Sequence, residues 1–283
     1  NVAGMAPYCF RAYVTVNRHM VFRKPEHISF VEAATLPTVF LTTHYALNHL
    51  AHMRKGERVL IHAGTGGVGM AAIQIAQEAG AEIFSTAGTP EKRWLLKEMG
   101  VQHVMDSRSL NFADEVMAIT DGEGVDIVLN SLAGDFIPKN FSVLRTFGRF
   151  LEIGKIDIYS NSKIGLEPLR NNISFHVIGL AQHLESRPEF VAEMMAEMAA
   201  KFEAKTYKPL PHKVFPITEV VEAFRFMAQG KHIGKNVLDF DQPVIDIAPS
   251  TEPENFFKSD ASYLITGGAS GFGFELAVWM AAH

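Results

Sequence analysis

The chain has 283 residues, of which 47% are hydrophobic and 20% charged, and its formal net charge at pH 7 is −5. This balance is typical of a globular protein with a sizeable core, and the lack of a basic stripe argues against nucleic acid as a partner. Because the chain has a single cysteine, no run long enough for a membrane span and no visible targeting peptide, we expect a cytoplasmic protein without disulfides or bound metal.

The first 35 residues are expected to form strand and loop. Residues from Tyr8 to Val16 alternate as an antiparallel strand would, but the sequence offers this strand too few neighbours to close a sheet. We therefore interpret the chain as a piece of a larger protein. The segment from Glu32 to Met53 is expected to be helical, with a break or a new start at Pro37.

Apolar strands then alternate with helices. Strands are expected near 58–63, 82–86, 103–106, 125–130, 148–153 and 173–178, and helices near 67–79, 90–99, 111–120, 135–145 and 187–204. Such an alternation predicts a doubly wound parallel (Rossmann) sheet of the α/β class. The methionine-rich run within the last helix favours a core-facing helix over a binding surface.

A glycine-rich turn joins the first of these strands to its helix. Gly64, Gly66 and Gly69 stand in the G-x-G-x-x-G spacing of a dinucleotide-binding turn. Gly64 would allow the tight turn, Gly66 the approach of the backbone to the phosphates, and Gly69 the close packing of the helix. The helix N-terminus would add unpaired N–H groups for the pyrophosphate. The predicted cofactor-binding residues here are Gly64, Thr65, Gly66, Gly67, Val68 and Gly69.

The end of the second strand indicates which dinucleotide binds. NAD-specific enzymes carry a carboxylate there, whereas this chain has Thr86 at the strand end, with Lys92 and Arg93 close behind. Hydroxyls and cations attract a 2′-phosphate that a carboxylate would repel, so NADPH is predicted over NADH. The alternative for Lys92 and Arg93 is an ordinary solvated helix face.

Beyond residue 208 the pattern changes. A strand is expected at Lys213–Pro216 and a helix from Thr218, as N-cap, to Gln229, before a loop and strand that end near Phe240. The proline-containing, acidic stretch 241–259 is interpreted as an interdomain linker.

A second glycine motif follows that linker. Gly267, Gly271 and Gly273 again predict strand, glycine turn and helix, beginning at Tyr263. Because one such unit cannot bury its apolar face alone, we expect this tail to be disordered or to dock on the main domain.

Four motifs together are recognisable, and they occur in a fixed order: 62–74 (HAGTGGVGMAAIQ), 129–134 (LNSLAG), 148–155 (GRFLEIGK) and 230–235 (GKHIGK). They resemble the enoylreductase domains of type I polyketide synthases and animal-type fatty acid synthases. That family is a zinc-free branch of the medium-chain dehydrogenase/reductase superfamily. The tail from Ser262 looks like the start of a ketoreductase domain, which follows the enoylreductase in such synthases.

The resemblance implies a domain organisation that includes remnants of a GroES-like, β-rich substrate domain, most of which would precede Asn1. Expected boundaries are 1–35 for the C-terminal part of the substrate domain, 36–207 for the NADPH-binding domain, 208–241 for a segment returning to the substrate domain, 242–261 for the linker and 262–283 for the truncated ketoreductase. It also implies edge-strand pairing into a homodimer.

The reaction implied is reduction of a trans-2-enoyl thioester held on an acyl carrier protein. Lys155, at the end of the fifth strand, matches the family lysine proposed as proton donor, and an ammonium there would stabilise the enolate or protonate it. The alternatives for Lys155 are a ribose or phosphate contact and an ion pair with Asp157. Tyr8 and Tyr13 are weaker candidates for the donor.

Further cofactor contacts are implied for Thr42, Asn130 and Lys235. The alternatives are an Asn130 amide that satisfies the strand-end backbone and a Lys235 that is a plain surface lysine. Many relatives carry an aspartate where this chain has Gly179-Leu-Ala-Gln, which argues against a donor role shared by that aspartate and Lys155. Solvent, or a residue outside this chain, is then the alternative source of the proton. Two other functions stay open: a stand-alone quinone oxidoreductase-like enzyme, and a degenerate domain kept as a structural spacer.

Overall fold

The computed structural model describes residues 1–11, 13–241 and 260–282. It divides into two compact units, Asn1–Gln242 and Pro243–His283. Of the expected linker, residues 242–259 lie outside the described residues. None of the helices in the described parts of the chain is long and apolar enough to cross a membrane.

The N-terminal segment forms a small antiparallel pair, β1 (Val2–Gly4) and β2 (Val21–Arg23). The strand predicted at Tyr8–Val16 is wrong: the described residues of this stretch are irregular. The alternation there has no buried face: Tyr8 and Tyr13, which would lie on opposite faces of a strand, are 78% and 93% exposed. Without a neighbouring strand to accept its hydrogen bonds, alternation alone does not produce a strand.

A helical segment leads into the central sheet. It comprises α1 (Phe30–Ala33), α2 (Pro37–His44) and a π-helix (Tyr45–Leu50). The expected break lies at Pro37, which opens α2 because its missing N–H is not needed in a first helical turn. The π-helix was not anticipated; its last backbone bond joins the Ala51 N–H to the Ala46 carbonyl, five residues back, at 2.9 Å.

The predicted doubly wound parallel sheet is confirmed, with six strands in the order β5-β4-β3-β6-β7-β8. The strands are β3 (Arg58–Ile61), β4 (Glu82–Ala87), β5 (His103–Asp106), β6 (Val125–Asn130), β7 (Leu144–Glu152) and β8 (Ser174–Val177). The connecting helices are α3 (Gly67–Ala79), α4 (Pro90–Glu98), α5 (Phe112–Ile119), α6 (Phe136–Ser142), α7 (Ile156–Tyr159), α8 (Ala181–Ser186) and α9 (Pro188–Glu203).

One boundary in the sheet differs from the expectation. The helix expected to reach residue 145 ends at Ser142, and β7 already begins at Leu144. The reason is pairing with the neighbouring strand: Leu144 lies opposite Val125, and the Val125 N–H donates to the Val143 carbonyl at 2.8 Å. This pairing buries Val143 and Leu144 in the core, which an extra helical turn would not do.

Apolar clusters cover both faces of the sheet. One packs α2, α3 and α9 against the sheet, and the other packs α5 and α6 against it. Met194, Met195 and Met198 are buried in the first cluster, so the assignment of the methionine-rich run to a core-facing helix is confirmed.

A separate βαβ element follows the sheet. It consists of β9 (His212–Pro216), α10 (Val220–Ala228) and β10 (Lys235–Asp239), with β9 and β10 paired in parallel. The N-cap predicted at Thr218 is wrong, because Ile217–Glu219 forms a 3-10 turn and α10 begins only at Val220.

The second unit contains α11 (Gly271–Ala282) after a turn at residues 266–270. The predicted helix is therefore present, but the predicted strand at Tyr263 is irregular. This part of the chain has no strand to pair with among the residues that the structure describes.

Candidate active site

The order of the strands places a crevice above β3 and β6. These neighbours sit at the centre of the sheet, and the chain leaves β3 toward β4 on one side and β6 toward β7 on the other. In open parallel sheets, ligands bind at this reversal point, beyond the carboxyl ends of the strands. The glycine turn follows β3 and Asn130 ends β6, so both lie at the crevice.

The glycine turn needs two of its glycines for packing. A Cβ on Gly69 would lie 2.6 Å from the Gly64 Cα, and a Cβ on Gly64 would collide with the Ser85 hydroxyl and lie 2.9 Å from Leu96. The Gly64 N–H donates to the Thr86 carbonyl at 2.9 Å, which fastens the turn to β4. These contacts match the roles expected for Gly64 and Gly69.

Gly66 differs from its neighbours because little surrounds it. A Cβ there would meet only the Ala63 carbonyl oxygen, at 3.2 Å. The residue precedes α3 with extended backbone angles, φ −77° and ψ 166°, which any residue can adopt. Its lack of a side chain is therefore not explained by packing and suits a ligand that approaches the backbone, as predicted.

The loop before β10 lies against this turn. The Gly234 N–H donates to the Thr65 carbonyl at 2.9 Å, and residues 66 and 234 form an isolated parallel β-bridge. A Cβ on Gly67 would lie 2.7 Å from the Lys235 Cδ, so the stem of Lys235 rests on the first residue of α3. This places Lys235 beside the predicted pyrophosphate cradle, while the half-buried Val68 lies in the first turn of α3.

Cations gather around the same loop. The Lys92 ammonium donates to the carbonyls of Gly230 and His232 at 2.8 and 2.9 Å. Burial, followed by the charges of Lys92 and Lys235, lowers the pKa of His232 below its ordinary value. Burial, followed by the charge of Arg108, lowers the pKa of Lys92, and burial alone lowers that of Lys235.

A bound anion would stabilise the charged forms of these partly buried lysines, and it would relieve the repulsion between Lys92 and Arg108. Among the described residues, no carboxylate opposes the lowering of these three pKa values, and the group stands beside the glycine turn and the N-terminus of α3. The residues present therefore fit a phosphate-bearing dinucleotide. Arg93 behaves differently: it donates to the Ala87 carbonyl at 3.2 Å and pairs with Asp106 at 2.9 Å, a structural contact at the strand ends.

A chain of buried polar side chains runs beneath the crevice. His62 bonds Thr86 through Nδ1 at 2.9 Å and Asn140 through Nε2 at 2.7 Å. Asn140 then donates to the Asn130 Oδ1 at 3.0 Å, and Asn130 donates to the Glu152 carboxylate at 2.6 Å. This network links the ends of four adjacent strands, so it fixes the edge of the sheet at which ligands would bind.

The network explains where two predicted cofactor ligands point. The Asn130 amide also donates to the Leu132 carbonyl at 2.7 Å and accepts from the Leu132 N–H at 3.1 Å, so its donors and its oxygen are engaged within the protein. The Thr86 hydroxyl is fully buried against His62. For Asn130, this geometry supports the alternative in which the amide satisfies the strand-end backbone.

Glu152 is the group of this network whose pKa lies near neutral pH. Burial raises its pKa to about 7, although hydrogen bonds from Asn130 and the Gly154 N–H act in the opposite direction. By contrast, burial lowers the pKa of His62 to about 4, so the imidazole is neutral at pH 7. Near neutral pH, Glu152 can thus hold or release a proton, and it lies two residues before Gly154 and three before Lys155.

Lys155 lies where it was expected, at the carboxyl end of β7. Its ammonium donates to the Ile178 carbonyl at the end of β8 and lies beside Gly179. The expected alternative of an ion pair with Asp157 is wrong, since Asp157 accepts from the Gly134 N–H at 3.0 Å and no such pair occurs among the described residues. The arrangement leaves a cation at the ligand-binding edge of the sheet.

The positions of three other predicted residues give less support to a role in binding or catalysis. The Thr42 hydroxyl donates to the Thr38 carbonyl at 2.7 Å, one turn back within α2. Tyr8 lies in the irregular N-terminal segment, with the Arg11 guanidinium 5.6 Å from its ring centre, and Tyr13 is almost fully exposed. Their roles stay predictions.

Sequence reasoning missed Glu152, His62, Asn140, Arg108 and His232. Two signals could have revealed part of this set: Glu152 is a carboxylate among apolar residues in the strand expected near 148–153, and His62 extends the apolar run of β3. A polar side chain in a strand buried on both faces needs an internal partner. Nothing in the spacing of Asn140 or Arg108 singles them out.

The chain is similar to proteins of known family. A family model described as zinc-binding dehydrogenase matches residues 99–238. The mycocerosic acid synthase-like polyketide synthase of Mycobacterium tuberculosis is 41% identical over 283 residues, which are 99% of this chain. That alignment covers 13% of the relative, so the chain spans a small part of the curated proteins it matches.

Solved structures give the same indication. The CurK enoyl reductase is 46% identical with a TM-score of 0.73, over 80% of this chain and 68% of that one. The nucleotide-binding subdomain of the enoylreductase domain of PpsC from Mycobacterium tuberculosis is 42% identical with a TM-score of 0.58, over 61% of this chain and 96% of that one.

Proposed function

This chain belongs to the enoyl reductase domains of polyketide synthases, within the medium-chain dehydrogenase/reductase superfamily, and we propose that it reduces trans-2-enoyl thioesters on an acyl carrier protein with NADPH. Membership of this family makes the chain an oxidoreductase domain with an NAD(P)-type cofactor. The observation that carries the more specific proposal is the combination at one sheet edge of an open glycine turn, a group of neighbouring cations and Lys155.

The glycine turn and its surroundings would hold the cofactor. The backbone at Gly66 and the N-terminus of α3 suit a pyrophosphate, because nothing but the Ala63 carbonyl approaches the position of a Cβ. Bound NADPH would supply the hydride that adds to Cβ of the enoyl thioester. The protein's own task is then to orient that ligand and to manage the charge that develops on the substrate.

The preference for NADPH over NADH rests on charge. Lys92 and Arg108 stand close enough for Arg108 to lower the pKa of Lys92, and the carboxylate at the end of β5, Asp106, is already neutralised by Arg93. A 2′-phosphate would relieve the repulsion between Lys92 and Arg108, whereas a 2′-hydroxyl would not. We therefore retain the prediction of NADPH and add Arg108 to the residues that favour it.

We assign Lys155 the role of stabilising the negative charge that develops on the substrate. After hydride reaches Cβ, the electron pair of the double bond passes to the thioester oxygen as an enolate, and Cα then takes up a proton. The Lys155 ammonium, held by the Ile178 carbonyl at the carboxyl end of the sheet, would stabilise that oxygen or give the proton. Gly179 bears no carboxylate beside it, so solvent is the other source of the proton.

The whole protein's setting is also part of the proposal. Because the curated relatives are much longer multidomain synthases, we infer that adjacent domains, including a ketoreductase, and an acyl carrier protein are the partners of this chain. The reaction would take place in the cytoplasm, as expected from the sequence.

The test is oxidation of NADPH by the intact polypeptide that carries this chain, with a crotonyl thioester as substrate and saturated butyryl thioester as the product to be identified. We expect turnover with NADPH and much slower turnover with NADH at the same concentration. Cofactor binding without turnover would support the degenerate spacer instead, and oxidation only with quinones would support the quinone oxidoreductase-like enzyme.

A further inference from the structure

A cluster of imidazoles and a carboxylate lies on α9 and the helical segment opposite it. His44 ends α2, His49 lies in the π-helix, and Glu197 is on α9. The Glu197 Oε2 is 2.6 Å from the His44 Nε2 and 3.8 Å from the His49 Nε2. All three ligand atoms lie within 4.8 Å of one another. None of these residues belongs to the dinucleotide site described above.

The π-helix is what brings the two imidazoles together. In an α-helix, residues three or four apart share a face, so residues 44 and 49 would point in different directions. In the π-helix the backbone closes five residues back, as the Ala51 N–H does to the Ala46 carbonyl at 2.9 Å. The His44 and His49 rings consequently lie with their centres 5.1 Å apart.

The burial of the cluster resembles an open metal site. The His44 side chain is 7% exposed, whereas that of Glu197 is 55% exposed, so the cluster is closed on one side and open to solvent on the other. The buried His49 Nε2 has no hydrogen-bond partner among the described residues. An unpartnered ring nitrogen that faces a carboxylate and a second ring nitrogen has a lone pair to offer.

We propose that His44, His49 and Glu197 bind a divalent transition-metal ion, Zn²⁺, with water at the remaining position. Two imidazoles and one carboxylate form a ligand set that Zn²⁺ accepts in tetrahedral sites. Imidazole nitrogen disfavours Mg²⁺ and Ca²⁺, which select oxygen ligands. Because the ligands come from α9 and from the segment that leads into the sheet, the ion cross-links two helical elements of the core.

A neighbouring amide would complete the site. The Asn48 side chain lies 2.9 Å from the His44 Nδ1, the ring nitrogen that a metal at Nε2 leaves free. Turning that amide over presents its oxygen to the Nδ1–H, which is the outer-sphere bond that metal-binding histidines usually make. Asn48 is therefore assigned as the residue that orients His44 toward the ion.

The experiment measures Zn²⁺ binding to the 283-residue chain, after removal of bound metal, by competition with a chromogenic chelator. We expect one Zn²⁺ per chain and a higher unfolding temperature when it is bound. His49→Gln and Glu197→Gln should each weaken binding by more than about 100-fold, and Asn48→Leu by about 10- to 100-fold. Glu203→Gln, which changes an exposed carboxylate on the same helix, serves as the matched control and should bind like the parent.

Two results would overturn the proposal. One is Zn²⁺ binding that is equally tight in the parent, His49→Gln and Glu197→Gln. The other is measured on the unsubstituted protein, so it does not depend on whether variants fold. Co²⁺ is added and then displaced with Zn²⁺, and the proposal fails if no visible d–d absorption appears that Zn²⁺ removes. Either result would leave the His44–Glu197 contact as an ordinary hydrogen-bonded pair.

Discussion

At the scale of single residues, Glu152 is buried and lies at the carboxyl end of β7, the edge of the sheet at which ligands would bind. Its carboxylate accepts from Asn130 at 2.6 Å and from the Gly154 N–H at 2.5 Å. Burial nevertheless raises its pKa to about 7, from an ordinary value of 4.5. The folded protein therefore holds this proton more tightly than the unfolded chain does, and the free energy of unfolding contributed by Glu152 falls as the pH rises from about 4.5 to about 7.

A substitution of Glu152 should reveal this dependence. Glu152→Gln places an amide N–H against one of the two groups that donate to Glu152, the Asn130 amide and the Gly154 N–H. We expect this substitution to lower the free energy of unfolding at pH 5 by about 1–3 kcal/mol. The difference from the parent should shrink by pH 8, because only the parent loses stability on ionisation. Urea unfolding at both pH values checks this, and a difference that does not change with pH would show that Glu152 ionises normally.

Lys155 offers a second test at this scale. Because the ammonium is assigned to charge that develops only on the substrate, Lys155→Ala should lower kcat by about 10²- to 10⁴-fold and leave the Kd for NADPH nearly unchanged. Lys163→Ala, at an exposed lysine that follows α7, is the control and should keep full turnover. Equal losses in nucleotide affinity and turnover would instead assign Lys155 to ribose or phosphate.

At the scale of elements, the glycine turn separates packing from ligand binding. A side chain on Gly69 meets backbone atoms of Gly64, which cannot move without displacing α3, whereas one on Gly66 meets only the Ala63 carbonyl. Gly69→Ala should therefore lower the free energy of unfolding by about 1–3 kcal/mol. Gly66→Val should unfold close to the parent but lose NADPH binding, as measured by fluorescence titration. Retained binding in folded Gly66→Val would place the phosphates elsewhere.

Sequence reasoning found the elements that are marked by a local motif or by a regular hydrophobic period. The strand–glycine–helix unit around Gly64 was predicted almost to the residue because apolar period and glycine spacing agree. The strand predicted from Tyr8 failed because alternation says nothing about a partner strand. The π-helix from Tyr45 could not be foreseen, since its extra residue per turn leaves no mark in the hydrophobic pattern.

For a similar reason, only part of the candidate site could be predicted from the sequence. Gly66 and Lys155 were found because motifs fix their place relative to the strands. His62, Asn140 and Glu152 are up to 90 residues apart and meet only through the pairing of β3, β6 and β7, so no short pattern contains them. Asn130 was located correctly at a strand end, but its hydrogen bonds are decided by this long-range network.

At the scale of the whole molecule, the first unit should be independent of the second. It ends at Gln242 and includes β10, which pairs with β9 over five residue pairs. A chain that ends after Asp241 is expected to keep the unfolding temperature and NADPH affinity of the longer one. A chain that ends after Gln229 lacks β10 and should lose both. Calorimetry and fluorescence titration measure these properties, and a large loss after Asp241 would mean that the second unit stabilises the first.

The hydrogen bond from the Gly234 N–H to the Thr65 carbonyl has a kinetic consequence. It joins the loop before β10 to the turn that would cradle the pyrophosphate, so we expect a dinucleotide bound between them to leave only when this bond opens. The exchange of the Gly234 amide hydrogen with deuterium should then slow when NADPH is added, while that of Gly124, at the opposite end of the sheet, stays constant. In this way, a single backbone hydrogen bond would set how long the cofactor stays bound in each turnover.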